Sequence, residues 1–129
     1  MELKKYEGKN KEEILKKILK ELNCNQNDLF LKSEFIEGKL FKSPKYIVSV
    51  VTKKEIIEYI SEYIQNLSRC MKINIESEIL ESEDIFKVTL VSDQNAILIG
   101  KEGRTLNSIQ LLLKQSIKNK IGLSLKINV

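Results

Sequence analysis

Two glycines three residues apart, Gly100 and Gly103, enclose Lys101 and Glu102 and are followed at once by Arg104. Lacking a Cβ, both can take positive φ and let another molecule approach the main chain closely. The residues after Gly103 read as the start of a helix. Its first amides lie at the positive end of the helix dipole with no partner inside the helix, so an anion placed there gains hydrogen bonds and electrostatic stabilisation together. Lys101 adds a mobile point charge, and Arg104 a fork that matches phosphate oxygens. The chemistry these residues can do is to hold a polyanion, and a phosphodiester backbone fits. The spacing alone is weak evidence, because two helices joined by a tight turn use it for geometry as well. The surrounding pattern strengthens it: the apolar run Ile97-Leu98-Ile99 precedes the glycines, and an amphipathic segment follows.

Other chemistry lacks its parts. The 129 residues contain no histidine and two cysteines, Cys24 and Cys70, which removes a Ser-His-Asp triad, a Cys-His pair and a zinc site. The cysteines, far apart in sequence, are expected to be buried or partly buried thiols. Acidic residues such as Glu76 and Glu78, or Glu81, Glu83 and Asp84, fall on strand edges or a turn, where a solvated hairpin explains them. The expectation is a binding protein without catalysis, cofactor or metal. No apolar run is long enough to span a bilayer and no signal peptide leads the chain, so a cytoplasmic protein without an integral membrane segment is expected. Net charge is +4, too small to prove a nucleic-acid partner. Its distribution is more telling: +3 over residues 1–52, −3 over 53–92 and +4 over 93–129, the last window holding the glycine pair. Lys114, Lys118 and Lys120 read as a solvated face that complements a helix C-terminus.

The elements that must position the glycine pair follow from apolar periodicity. Leu3 to Tyr6 reads as a strand. Asn10 with Glu13 makes a capping-box start for a helix bearing Ile14, Leu15, Ile18, Leu19 and Leu22 on one face and ending near Asn23. Leu29–Ile36 and Tyr46–Val51 read as strands around a Glu37–Pro44 loop. Thr52 with Glu55 repeats the capping spacing and opens a helix striped by Ile56, Ile60, Tyr63, Ile64 and Leu67. Ile73, Ile75, Phe86, Val88 and Leu90 alternate as a hairpin turning at Glu81 to Asp84. A short helix, the glycine break, a long helix striped by Leu106, Ile109, Leu112, Leu113 and Ile117, and a strand from Leu123 to Val129 close the chain. The predicted class is α+β, with a βαββ domain over 1–52 and an αββααβ domain over 53–129.

The stretch from Ala96 to Gln110, with Gly100-Lys101-Glu102-Gly103 at its centre, resembles the signature of KH domains, whose GxxG loop clamps about four nucleotides of single-stranded nucleic acid. The element order from 53 onward resembles the type II KH arrangement, and in form the domain is similar to that of the bacterial Jag/KhpB (SpoIIIJ-associated) family. Glu7-Gly8-Lys9-Asn10 leading into Glu12 to Leu22 is similar to the opening of the Jag N-terminal domain. The family's C-terminal Arg-x-x-x-His domain is absent from this sequence, and the glycine-rich loop of its N-terminal domain is reduced to Glu37–Lys45. The resemblance implies a single-stranded RNA-binding protein of post-transcriptional or cell-envelope and division regulation, its site made of Ile99, Gly100, Lys101, Glu102, Gly103 and Arg104. Ile97 and Ile99 either floor a base-receiving groove with hairpin residues or pack in the core, the core being favoured for Ile97. The alternative is a protein-interaction scaffold, partnered by a second KH protein or by the SpoIIIJ/YidC membrane insertase, with Leu40 and Phe41 as a contact tip.

Overall fold

The computed structural model of the chain describes residues 3–38, 44–122 and 126–128. The architecture is α+β, and the chain divides into two compact units, Met1–Ile56 and Ile57–Val129. The expected contact tip, Leu40 and Phe41, and the first part of the last predicted strand, Leu123 and Leu125, lie outside the described residues.

The first unit is one helix on a three-stranded antiparallel sheet. β1 (Lys4–Gly8) leads into α1 (Lys11–Leu22), and β2 (Leu29–Ile36) and β3 (Lys45–Thr52) follow. The sheet order is β1-β3-β2. α1 starts at Asn10, as the spacing predicts. Asn10 Oδ1 accepts from the Glu12 amide at 2.9 Å in place of the Glu13 amide that a capping box would use, and the helix ends at Asn23 in a left-handed conformation. Its apolar stripe buries Ile14 and Ile18 against Leu29, Val48 and Val50. Each such fully buried side chain contributes about 1.5–3 kcal/mol. A hydrogen bond to Glu21 of α1, then burial, then the charge of Glu21, hold the Tyr6 phenol above its usual pKa. Cys24 packs against the same core, and burial first, Asp28 second, raise its thiol pKa. Cys70, expected to be at least partly buried, is exposed: it lies near the end of α2, outside that helix's apolar stripe.

α2 (Lys53–Met71) begins where β3 ends, with Thr52 Oγ1 accepting from the Glu55 amide at 3.1 Å, as the second capping pair predicts. The second unit continues with β4 (Ile75–Ser82), β5 (Ile85–Ser92), α3 (Asn95–Ile99), α4 (Arg104–Ile121) and the short β6 (Lys126–Asn128). Ser68 Oγ donates to the Ile73 carbonyl at 2.6 Å and accepts from the Ile75 amide at 3.1 Å, fixing the passage from α2 to β4. The β4–β5 register has Ser82 opposite Ile85, leaving Glu83 and Asp84 as a two-residue turn with both φ positive, the geometry that suits the right-handed strand twist. β6 adds to β5 in parallel.

The core of this unit contains Ile60, Ile64, Ile75, Phe86, Val88, Leu98 and Ile127, with Ile109, Leu113, Ile117 and Ile121 from α4. Leu112, expected in the α4 stripe, is 54% exposed. The buried α4 residues repeat every four positions, which fixes the phase of the helix and turns Leu111 and Leu112 to water.

Candidate nucleic-acid interface

α3 is five residues long and ends because Gly100 takes φ 75°, ψ 177°, outside any helix. Lys101–Gly103 form one tight 3-10 turn, with Glu102 at φ 57° and Gly103 at φ 73°, and α4 starts at Arg104. The two glycines serve different ends. A Cβ on Gly100 would lie 2.8 Å from Thr105 Cβ and 2.9 Å from its backbone nitrogen, so this glycine lets the loop close onto the first turn of α4. A Cβ on Gly103 would meet nothing within 4 Å. Its left-handed backbone still favours glycine, and the space beside it is open to another molecule.

The sequence implies a loop of unpartnered amides, and the structure reduces that set. The Gly100 amide donates to the Ala96 carbonyl at 3.0 Å, that of Gly103 to Gly100 at 3.3 Å, and that of Arg104 to Lys101. The tight turn satisfies these donors itself. The Lys101 and Glu102 amides at the tip and the first amides of α4 remain as the donors an anion could reach. No side chain caps α4, and its first turn contains no acid.

Lys101 is exposed. Arg104 and Glu102 are about three-quarters exposed, with Nη2 and Oε2 4.0 Å apart. An ion pair this open is worth little, so the guanidinium can exchange it for a phosphate. Beside the loop is a groove of about 400 Å³. Lys87, Val88, Thr89 and Leu90 of β5 form one wall, and Asn95, Leu98 and Ile99 of α3 with Leu106 of α4 form the other. Asn95 is held in place by its Oδ1, which accepts from the Ser92 amide at 3.0 Å.

Of the two isoleucines assigned to core or groove, Ile99 lines the groove and is 47% exposed. Ile97, favoured for the core, is 52% exposed and lies outside the groove lining. In a helix of five residues one apolar position faces inward, and Leu98 takes it at 1% exposure. No helix among the described residues is long and apolar enough to cross a membrane.

The sequence model of the family described as KhpA/KhpB, KH domain matches residues 54–129. The chain belongs to this KH-domain family. It is also 25% identical over 119 residues to the RNA-binding protein KhpB of Bacillus subtilis (strain 168), a match covering 89% of this chain and 57% of the relative. The chain thus spans a little over half of that relative's length. It is a Jag/KhpB-type KH protein.

Within this KH domain, sequence reasoning places the glycine loop and expects Ile99 and hairpin residues along a groove, without naming which hairpin residues or the positions of α3 and α4 that join them. The β5 wall, Asn95, Leu98 and Leu106 have no distinguishing spacing. The Ser92-x-x-Asn95 pair was the available signal for the local hydrogen bond that fixes Asn95. Thr105, the residue that makes Gly100 obligatory, shows no mark in the sequence beyond its place in the first turn.

Proposed function

We propose that this chain binds single-stranded RNA, with the phosphate backbone against Gly100–Arg104 and bases in the groove between β5 and the α3–α4 pair. The reading rests on one juxtaposition: an uncapped helix start carrying exposed Lys101 and Arg104 borders an apolar groove of about 400 Å³. The name of the Bacillus relative, an RNA-binding protein, supports RNA as the polyanion. The proposed contacts are Ile99, Gly100, Lys101, Gly103 and Arg104. Glu102 belongs to the loop and opposes phosphate mildly, because its carboxylate points to water. No aromatic ring lines the groove, so affinity leans on backbone contacts and sequence preference is loose.

The KH family is a family of binding modules, and the protein acts without chemistry of its own. Residues 1–52 form a Jag N-terminal-like domain and 53–129 the KH domain in this proposal. The protein works in the cytoplasm, in post-transcriptional or envelope and division control. The deciding experiment is a binding titration with single-stranded RNA at two salt concentrations. The double variant Lys101→Asp/Glu102→Asp, folded by circular dichroism, should lose binding, and the wild-type affinity should fall steeply with salt. Equal affinity of the double variant and wild type would remove the proposal.

A scaffold role is the second reading, favoured by Leu111 and Leu112, 68% and 54% exposed on the outer side of α4. A second KH protein or a membrane insertase is the partner it would take. Capture of such a protein that survives nuclease and high salt, with no RNA shift, would select this reading.

A further inference from the structure

Among the described strands, the sheet of the first unit ends at β2. β2 pairs with β3 along one edge, and among the described strands none pairs with the other. Folded proteins ordinarily shorten, bulge or cover an edge of eight residues, because its unpaired amides and carbonyls invite another strand. Leu31 and Phe35 stand opposite Val50 and Tyr46, which puts them with Ser33 on the face that α1 covers. Phe30, Lys32, Glu34 and Ile36 alternate onto the other face. Phe35 is 55% and Ile36 40% exposed, and Lys32, Ser33 and Glu34 are exposed as well.

We propose that a second copy of this chain pairs with β2 edge to edge, antiparallel about a twofold axis through Ser33. Phe30-Leu31-Lys32-Ser33-Glu34-Phe35-Ile36 is self-complementary in chemical character about Ser33: apolar residues mirror apolar residues, and the cation mirrors the anion. In this register Ser33 meets the partner's Ser33, and Lys32 meets the partner's Glu34. Leu31 meets the partner's Phe35, and Phe30 meets the partner's Ile36. Twofold symmetry makes each unlike pair twice. Opposite charges and apolar pairs across an antiparallel ladder are the combinations that stabilise it. The exposed Phe35 and Ile36 thereby gain apolar cover.

The same residues disfavour the alternatives. Parallel in-register pairing sets Lys32 on Lys32 and Glu34 on Glu34. A slip of one residue sets Leu31 against Glu34 or Lys32 against Phe35, and turns the α1 layer of one copy to the opposite face from the other. The register through Ser33 keeps both α1 helices on one face of a six-stranded sheet. This dimer is independent of the RNA reading, since its residues all lie in the first unit.

Sedimentation equilibrium of the full chain tests it. Wild type should show a monomer–dimer equilibrium, which Lys32→Glu and Glu34→Lys each weaken by about tenfold or more. An equal mixture of these two variants should regain association, because every facing pair is again opposite in sign, and the double K32E/E34K variant should associate like wild type. In a chain with Cys24 and Cys70 changed to serine, Ser33→Cys should give a covalent dimer on mild oxidation, because directly opposed residues of a ladder lie within disulfide reach. A chain that stays monomeric at its highest soluble concentration, or a dimer that neither charge reversal weakens, or a mixture that fails to regain association, would overturn the proposal.

Discussion

The starts of α1 and α4 present the same backbone problem and receive opposite treatments. Each helix begins with amides that lack an intrahelical acceptor and with a positive dipole end. At α1 the chain supplies its own answer: Asn10 accepts from the Glu12 amide, and Glu12 and Glu13 place two carboxylates in the first turn. At α4 a glycine stands at the cap position, no side chain accepts, no acid follows, and the first residue is Arg104. A glycine also precedes each start, and a Cβ on it would press on the helix: on Ile14 Cγ1 at 2.8 Å from Gly8, and on Thr105 from Gly100. Two helices can thus be anchored alike while one is closed electrostatically by its own side chains and the other is not.

The largest effect expected from breaking this arrangement is on stability. Gly100→Ala combines backbone strain at φ 75° with an overlap on the Thr105 backbone, and should lower the unfolding free energy by about 3 kcal/mol. Gly8→Ala meets the end of a flexible isoleucine, and chemical denaturation of the two variants should show the smaller loss there. Next comes Arg104→Glu, which gives α4 the acid that α1 already has. Melting should show the helix slightly stabilised, by about 0.3–1 kcal/mol, while RNA affinity falls about tenfold or more. A parallel rise or fall of both quantities would break the contrast. Asn10→Ala should remove about 1 kcal/mol of stability with no change in RNA affinity. The smallest effect is that of Glu102→Gln, which removes the one acid of the loop and should tighten RNA binding about twofold in a low-salt titration.

Features with a local physical cause were legible in the sequence. The caps at Asn10 and Thr52, the β2 span and a turn within Glu81 to Asp84 follow from short-range side-chain and backbone chemistry. So do the two glycines, because few other residues take their dihedral angles. Features settled by packing were less legible. Leu111, Leu112 and Leu113 are adjacent leucines, and the four-residue rhythm of Ile109, Leu113, Ile117 and Ile121 against the sheet selects Leu113 alone for burial. Ile97 and Leu98 are interchangeable by type, and the direction of a five-residue helix buries Leu98. The groove wall along β5 is made by strand placement, which no residue spacing encodes. The loop amides show the same limit: a GxxG spacing announces positive φ, while the closure that ties up the Gly100, Gly103 and Arg104 amides depends on how tightly the turn folds.

The open start of α4 is the central claim, and amide-resolved NMR tests it most directly. On titrating a short single-stranded RNA into the full chain, the amides of Lys101, Glu102 and the first turn of α4 should shift together with those of the β5 wall. The amides of Lys11, Glu12 and Glu13 should stay in place. Saturable binding that leaves residues 101–106 unmoved, or that shifts both helix starts equally, would contradict the account.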